Sequence, residues 1–386
     1  MAEVLHVFKT YYPDTEGGVE KVIKTIAALT KEDGFHHSLL TLSPNPNPPI
    51  VHFDEIDVYR APTLFAAMSC PVGGLRSLVL ARRLIAQADI VVWHYPWPFG
   101  DLLSLMSPRK PSIILYHSDI IKQKRAAYLY EPLRRLFFRR ADRIVATSPQ
   151  YAASSAILAK ESRKKLRTIA LAVAPDSVEP DTQVLETFGL GHEPYVLFVG
   201  ALRYYKGLHT LIEAASRIPA KIVIAGIGRD EESLKQLAHT RQAGNVIFAG
   251  KITDAQKRAL LEHATVFAFP SCQRSEAFGM ALAEAAMYGV PMVSCSIGTG
   301  TSFVNRDGDT GLEVPAEDPQ RLAAAICQIL NDAELREQLS LRAKAHWEKS
   351  LSPMRFQEDW TELFHEVLPD HSGGGKKKPD EKSWVK

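Results

Sequence analysis

The stretch SEAFGMALAEA, Ser275 to Ala285, sets two carboxylates, Glu276 and Glu284, on either side of Phe278, Gly279 and Met280. Continued as helix, their spacing advances about 12 Å and leaves the two positions roughly 80° apart around the axis, so both can face one elongated ligand. Carboxylates accept hydrogen bonds from hydroxyls, and a helix N-terminus between them favours an anion. A nucleotide sugar has that layout, with hydroxyl-rich ends and an anionic centre, and Gly279 would let backbone amides approach its diphosphate. Spacing alone is equally met by a first-turn acid complementing the helix macrodipole plus an ordinary surface glutamate.

A second constellation, VLFVGALRYYKGLHTLIEAA, reads as strand, glycine turn, then Arg203 and Lys206 just before a helix opening at Gly207. Two cations beside a helix start make a diphosphate clamp, Arg as a planar fork and Lys as a point charge; a solvated turn is the plainer reading. A third, HVFKTYYPDTEGGVEKVIKTIAAL, runs strand, loop, Gly17-Gly18, helix, and paired glycines permit close backbone approach to a phosphate or sugar. His117 ends the apolar run SIILYH. WHYPWPFGD ends another run with His94, Tyr95 and Trp97, aromatic groups that stack on sugars or receive lipid, and that equally could plug a core. Asp119, Lys122 and Lys124 follow His117 and suit an acceptor's hydroxyls and diphosphate.

These residues need elements to position them. Short β-branched runs (VLHVF, HHSLLTL, DIVVWH, RIVATS, then YVLFVG, KIVIAG, TVFAFP, VPMVSC) alternate with segments of helical period such as Gly18 to Leu29 and Leu208 to Arg217. That alternation predicts an α/β chain of parallel sheets covered by helices. A proline- and acid-rich stretch near Pro180, lacking a sustained period, divides it into two doubly wound, Rossmann-like domains with a cleft between them, residues 1–180 and 181–350. Ligands in such sheets bind beyond the carboxyl ends of the strands. A helical segment follows at 351–369, and the glycine- and lysine-rich residues 370–386 read as a flexible tail.

Four scattered cysteines, Cys70, Cys272, Cys295 and Cys327, form no pair or His/Cys cluster in sequence, so neither a disulfide framework nor a zinc site is suggested and a reducing cytosol fits. MAEVLHVFK reads as a strand rather than a signal segment, and no run reaches the roughly 18 apolar residues of a membrane span. Net charge is +2 but uneven: IKQKRAAYLYEPLRRLFFRRADR interleaves basic and aromatic residues at helical spacing. A membrane-surface helix looks like this, and so does an outer helix with a solvated basic face. No recognisable nucleic-acid motif accompanies the charge.

Together, Glu276 to Glu284, Lys206-Gly207, the first-half GGVE and DGDTGLEVP resemble the retaining GT-B glycosyltransferases of family 4, from residue 4 to about 366. FVGALRYYKGL, YHSDIIKQK, HYPWPF and IGTGTSFVNRDGDTGL further resemble the mannosyltransferases that build bacterial O-polysaccharides on a polyprenyl diphosphate. The resemblance implies GDP-mannose as donor, a lipid-diphosphate-linked sugar as acceptor, and no metal or other cofactor. It implies that Glu276 holds donor-sugar hydroxyls, Glu284 the ribose, and Arg203 with Lys206 the diphosphate. Gly17 and Gly18 would face the phosphates, the backbone at Lys251 and Ile252 would read the base, and His117 would lie beside the anomeric carbon. Front-face attack, a terminal helix crossing back to the first domain and work at the inner face of the cytoplasmic membrane are also implied. The family more often carries Arg directly after the glycine where this chain has Ala201, so the nearest cation is Arg203. The Asp307/Asp309 pair reads as a turn rather than a metal motif. A nicotinamide-binding Rossmann enzyme is disfavoured because KIVIAGIGRDEE has Glu231 where a third glycine belongs. A donor such as GDP-rhamnose or a UDP-sugar, and a non-catalytic scaffold, are the remaining alternatives.

Overall fold

The structure is a computed structural model that describes residues 1–67, 70–119, 124–175, 177–191 and 193–369. The first lobe is built on β1 (Ala2–Val7), β2 (Phe35–Ser43), β3 (Ile50–Phe53), β4 (Ile56–Ala67), β5 (Cys70–Gly73), β6 (Ile90–Tyr95), β7 (Ser112–Tyr116), β8 (Arg143–Ala146) and β9 (Leu166–Thr168). Its order is β3-β4-β2-β1-β6-β7-β8-β9, with β5 on β4. The second lobe uses β10 (Tyr195–Val199), β11 (Lys221–Ala225), β12 (Val246–Gly250), β13 (Val266–Phe269), β14 (Met292–Ser296) and β15 (Gly311–Pro315), ordered β12-β11-β10-β13-β14-β15. Every pair in the second sheet is parallel. Parallel strands are buried on both faces, which is why runs such as VLFV and IVIA are apolar without alternation.

The first sheet departs from the parallel expectation at one edge, where β3 and β5 pair antiparallel with β4. The stretch is short-looped, and residues joined by a few turn positions can only return antiparallel.

In each sheet the chain starts in the middle, winds outward, then returns to the other side of its first strand. The reversals fall between β1 and β6 in one sheet and between β10 and β13 in the other. Loops leaving adjacent strands part company there and open a crevice.

The chain crosses between lobes near Val173 and again near Leu351, and the crossings are tied together. Val173 N–H donates to Leu351 O at 3.0 Å and Trp347 Nε1–H to Val173 O at 3.0 Å. The helix Pro353–Val367 then lies on the first lobe, where Phe356, Trp360, Leu363 and Phe364 share a core with Val4, Ile26 and Phe35. Its polar face is fastened as well: Glu366 meets Arg143 at 2.6 Å and Arg167 at 2.5 Å, and Thr361 donates to Asp33.

Much of the basic run in the first lobe is occupied internally. On the helix Lys124–Arg140, Phe137 and Phe138 are buried, Arg134 is 4% exposed and pairs with Glu131, and Arg140 donates to Leu105 O and Ser107 O. Phe137 and Phe138 therefore turn inward, while Leu136 stays 53% exposed.

Candidate active site

Two loops meet at the reversal point of the second sheet. β10 ends at Val199 and leads through Gly200 and Arg203 into a 3-10 turn, Tyr204–Lys206. β13 ends at Phe269 and leads through Pro270 and Ser271 to Glu276. Lys206 Nζ lies 2.5 Å from Glu276 Oε2, both side chains are 12% exposed, and the ammonium stands 4.8 Å from the Phe269 ring centroid. Ser271 Oγ donates to the same oxygen at 3.5 Å, while Oε1 takes no donor among the described residues. A cation with unused donor capacity thus sits beside a carboxylate with an unused acceptor. Arg203 projects into solvent nearby and makes no ion pair among the described residues.

Gly207 makes the approach possible. It adopts φ +67, and a Cβ there would lie 1.9 Å from Pro270 O. Gly207→Ala therefore forces the β10 and β13 loops apart. We expect about 3 kcal/mol of lost stability, read as a lower Tm, and with it a loss of turnover.

The helical continuation assumed for Glu276 and Glu284 is not what forms. The helix is Met280–Met287, with Gly279 as its N-cap at φ 89, so Glu276 lies in the preceding turn. A left-handed residue breaks the helical phase, and each carboxylate keeps its own cation: Lys257 Nζ lies 3.1 Å from Glu284 Oε1. Phe278 is buried in the second-lobe core, and Met280 is 40% exposed. Lys251 is exposed and Ile252 half-buried just beyond β12, where Thr253 caps the next helix.

In the first lobe, Gly17 caps the helix Gly18–Thr30, and a Cβ there would meet Glu20 Oε2 at 2.7 Å. Buried Glu20 holds the preceding loop by accepting from Thr10 and Thr15, and the space over Gly18 is open. His117 follows β7, its N–H donating to Tyr95 O at 3.0 Å, and its ring stacks on His94 at 5.2 Å between centroids. Burial, then the nearby Lys9 charge, lower the His117 pKa to about 3, so the ring is neutral.

Several first-lobe residues with an acceptor role in the sequence reading are core instead. Tyr95 and Trp97 are each 1% exposed, with Trp97 Nε1–H donating to Pro71 O, and His94 is 2% exposed. The apolar setting that follows β6 claims these rings, and they offer no face to a ligand. Asp119 accepts from Tyr116 and Ser155, and its other oxygen meets Arg274 at 3.3 Å. Lys122 lies outside the described residues, and Lys124 is described in its backbone alone.

Arg274 is the residue that sequence reasoning missed. From the second lobe it reaches Asp119, donates to Ser154 Oγ, and sits 5.7 Å from the Tyr151 ring, while Ser154 donates to Gly298 O. This latch joins the lobes, two residues before Glu276 on one side and two residues after His117 on the other. No local pattern marks an arginine whose partners are on another domain.

The fold also gathers His209, Cys272 and Glu317, with ligand atoms within 4.8 Å of one another, which their scattered positions did not announce. Burial and then Glu317 push the Cys272 thiol up, which favours the protonated, non-ligating form.

Residues 186–346 match the family described as Glycosyl transferases group 1, and residues 16–176 match Glycosyltransferase Family 4. The chain is 40% identical to D-rhamnosyltransferase WbpZ of Pseudomonas aeruginosa over 89% of its own length and 91% of that protein's. It is 37% identical to O-antigen chain mannosyltransferase C of Escherichia coli, over 96% and 100%. The chain is a GT-B glycosyltransferase. Solved structures agree on the fold: Anabaena HepE in complex with UDP superposes with a TM-score of 0.76 at 17% identity, covering 95% of the glycosyltransferase and 100% of that chain. Sucrose-phosphate synthase from Thermosynechococcus elongatus gives 0.73 at 18%, covering 95% and 99%. In the glycosyltransferase, the family boundary between residues 176 and 186 falls in the segment joining the two sheets.

Proposed function

We propose that this glycosyltransferase moves a mannosyl residue from GDP-mannose, with retention of configuration and without a metal, to a sugar on a lipid diphosphate during O-polysaccharide assembly. The Lys206–Glu276 pair at the sheet reversal is the observation that carries this reading. Names of the two relatives above, a mannosyltransferase and a D-rhamnosyltransferase, support the polysaccharide setting and leave GDP-rhamnose as the second donor. When the anomeric carbon–oxygen bond breaks, negative charge grows on the departing diphosphate. Lys206, held beside Glu276, stabilises it from a fixed position and lowers the barrier without coordinated metal, while the exposed Arg203 helps bind the donor diphosphate. Glu276 Oε1 grips donor hydroxyls, and the diphosphate oxygen takes the proton of the attacking acceptor hydroxyl. Initial rates with GDP-mannose, GDP-rhamnose and UDP-N-acetylglucosamine, each with and without EDTA, test this against a synthetic lipid-diphosphate acceptor. Turnover of UDP-N-acetylglucosamine alone, or abolition by EDTA, overturns it.

Membrane contact is part of the same proposal, and a different surface from the basic run supports it. Leu64 and Phe65 on β4 and Leu75 and Val79 on the following helix are 70%, 53%, 75% and 59% exposed, beside exposed Arg76, Arg82 and Arg83. No described helix is long and apolar enough to cross a membrane. Exposed apolar groups rimmed by cations suit an anionic lipid surface. A Phe65→Glu/Leu75→Glu variant is expected to lose about tenfold in partition to phosphatidylglycerol vesicles, measured by co-sedimentation, with donor hydrolysis unchanged.

A further inference from the structure

Four histidines far apart in sequence form one continuous row beneath the first sheet's outer helices. His117 Nε2 lies 2.9 Å from His94 Nδ1, His94 Nε2 3.0 Å from His6 Nδ1, and His6 Nε2 3.0 Å from His37 Nδ1. His37 Nε2 then lies 2.8 Å from Thr30 Oγ1, whose hydroxyl is 2.8 Å from Ile26 O. The rings stand on adjacent strands β2, β1, β6 and at the end of β7, 5.2–5.3 Å apart between centroids. His6, His37 and His94 are 0%, 2% and 2% exposed; His117 at the cleft is the half-buried end, and Phe364 of the terminal helix covers the other at 6.0 Å from His37.

We propose that this row fixes the tautomer of His117, presenting Nδ1 to the cleft as an unprotonated hydrogen-bond acceptor for a sugar hydroxyl, with Thr30, His37, His6 and His94 as positioning residues. The direction follows from proton counting. Ile26 O can only accept, so the Thr30 hydroxyl donates to it and must accept from His37 Nε2–H. His37 Nδ1, now bare, accepts from His6 Nε2–H; His6 Nδ1 accepts from His94, and His94 Nδ1 from His117. Each of the three ring-to-ring contacts runs from Nε2 of the outer ring to Nδ1 of the inner one and the fourth from His37 Nε2 to Thr30 Oγ1, so four neutral imidazoles supply the four protons that four links need. His117 Nδ1 remains, with no partner among the described residues.

Presenting a proton at His117 Nδ1 would require reversing all four links or charging a buried ring. Burial first, then neighbouring His37 or His36, holds His6 well below the ordinary histidine range and His37 at about 3, and burial followed by His117 and His6 does the same for His94. The inner end stops at a helix carbonyl, so the row cannot pass a proton to bulk water. It orients; it does not conduct.

The proposal rests on the reading of His117 as a residue of the transfer site, and the test separates the two. Imidazole 15N shifts of the free wild-type protein at neutral pH are expected to show His117 protonated at Nε2 and bare at Nδ1. Thr30→Val keeps the shape but removes the acceptor for His37; the row should reverse, moving the His117 proton to Nδ1, and kcat should fall about tenfold or more at unchanged donor KM. Thr30→Ser should restore both. A wild-type His117 protonated at Nδ1, or shifts unaltered in folded Thr30→Val, overturns the row as the determinant. A clear reversal with unchanged kcat supports the row and instead removes His117 from the transfer site.

Discussion

Lys206→Ala is expected to lower kcat for sugar transfer by about 10²–10³-fold, the cost of deleting one fixed charge stabiliser from a leaving group. The same change leaves Glu276, only 12% exposed, without its cation. A buried carboxylate that loses its partner costs on the order of 2–4 kcal/mol, so Tm should fall as well. Glu276→Ala is expected to match it in activity, and the double variant should be little worse than either single change, because the two groups act as one unit. Arg203→Ala, an exposed side chain, should act mainly on donor KM. Initial rates and thermal melts of the four variants check this; additive losses in the double variant would mean that neither group depends on the other for its position.

Acid is expected to unfold the protein near pH 5. The unfolded chain takes protons on His6, His37, His94 and His117 below about pH 6.5, whereas burial holds the native rings far lower, His37 and His117 at about 3. His346, lowered by burial and then Arg306 to about 4, adds a fifth. The sign is set by depressed native values: full stability lies above about pH 6.5, and each such histidine removes about 1.4 kcal/mol per unit as pH falls toward its native value. Asp101, Glu161, Glu313 and Asp359, whose carboxyls burial pushes up, take protons in the native state and offset part of the loss. Against a stability of about 5–15 kcal/mol, four or five rings suffice within roughly two pH units. Circular dichroism melts between pH 8 and 4 should show a plateau followed by a steep fall; a flat Tm from pH 7 to 5 contradicts this account.

The arrangement of strands was legible because parallel strands buried on both faces must be apolar throughout, and runs such as Val196 to Val199 satisfy nothing else. The approach of the two second-lobe loops was partly legible for a similar reason. A glycine after a strand and before a helix marks a close approach, and Gly207 meets Pro270 where Lys206 meets Glu276. The phase of a helix is different, since one left-handed residue at Gly279 resets it and moves Glu276 off the axis on which its spacing to Glu284 was judged.

What the chain's own order of residues determined is therefore local: where strands and helices form, where glycines let backbones approach, and which motifs place it among the GT-B glycosyltransferases. What only the tertiary structure decided is which distant groups became neighbours. Arg274 finds Asp119 on the other lobe, Tyr95 and Trp97 turn inward, and His6, His37, His94 and His117 line up across four strands. Register and sheet order set those contacts, and both arise from packing the whole core at once, so no window of sequence contains them.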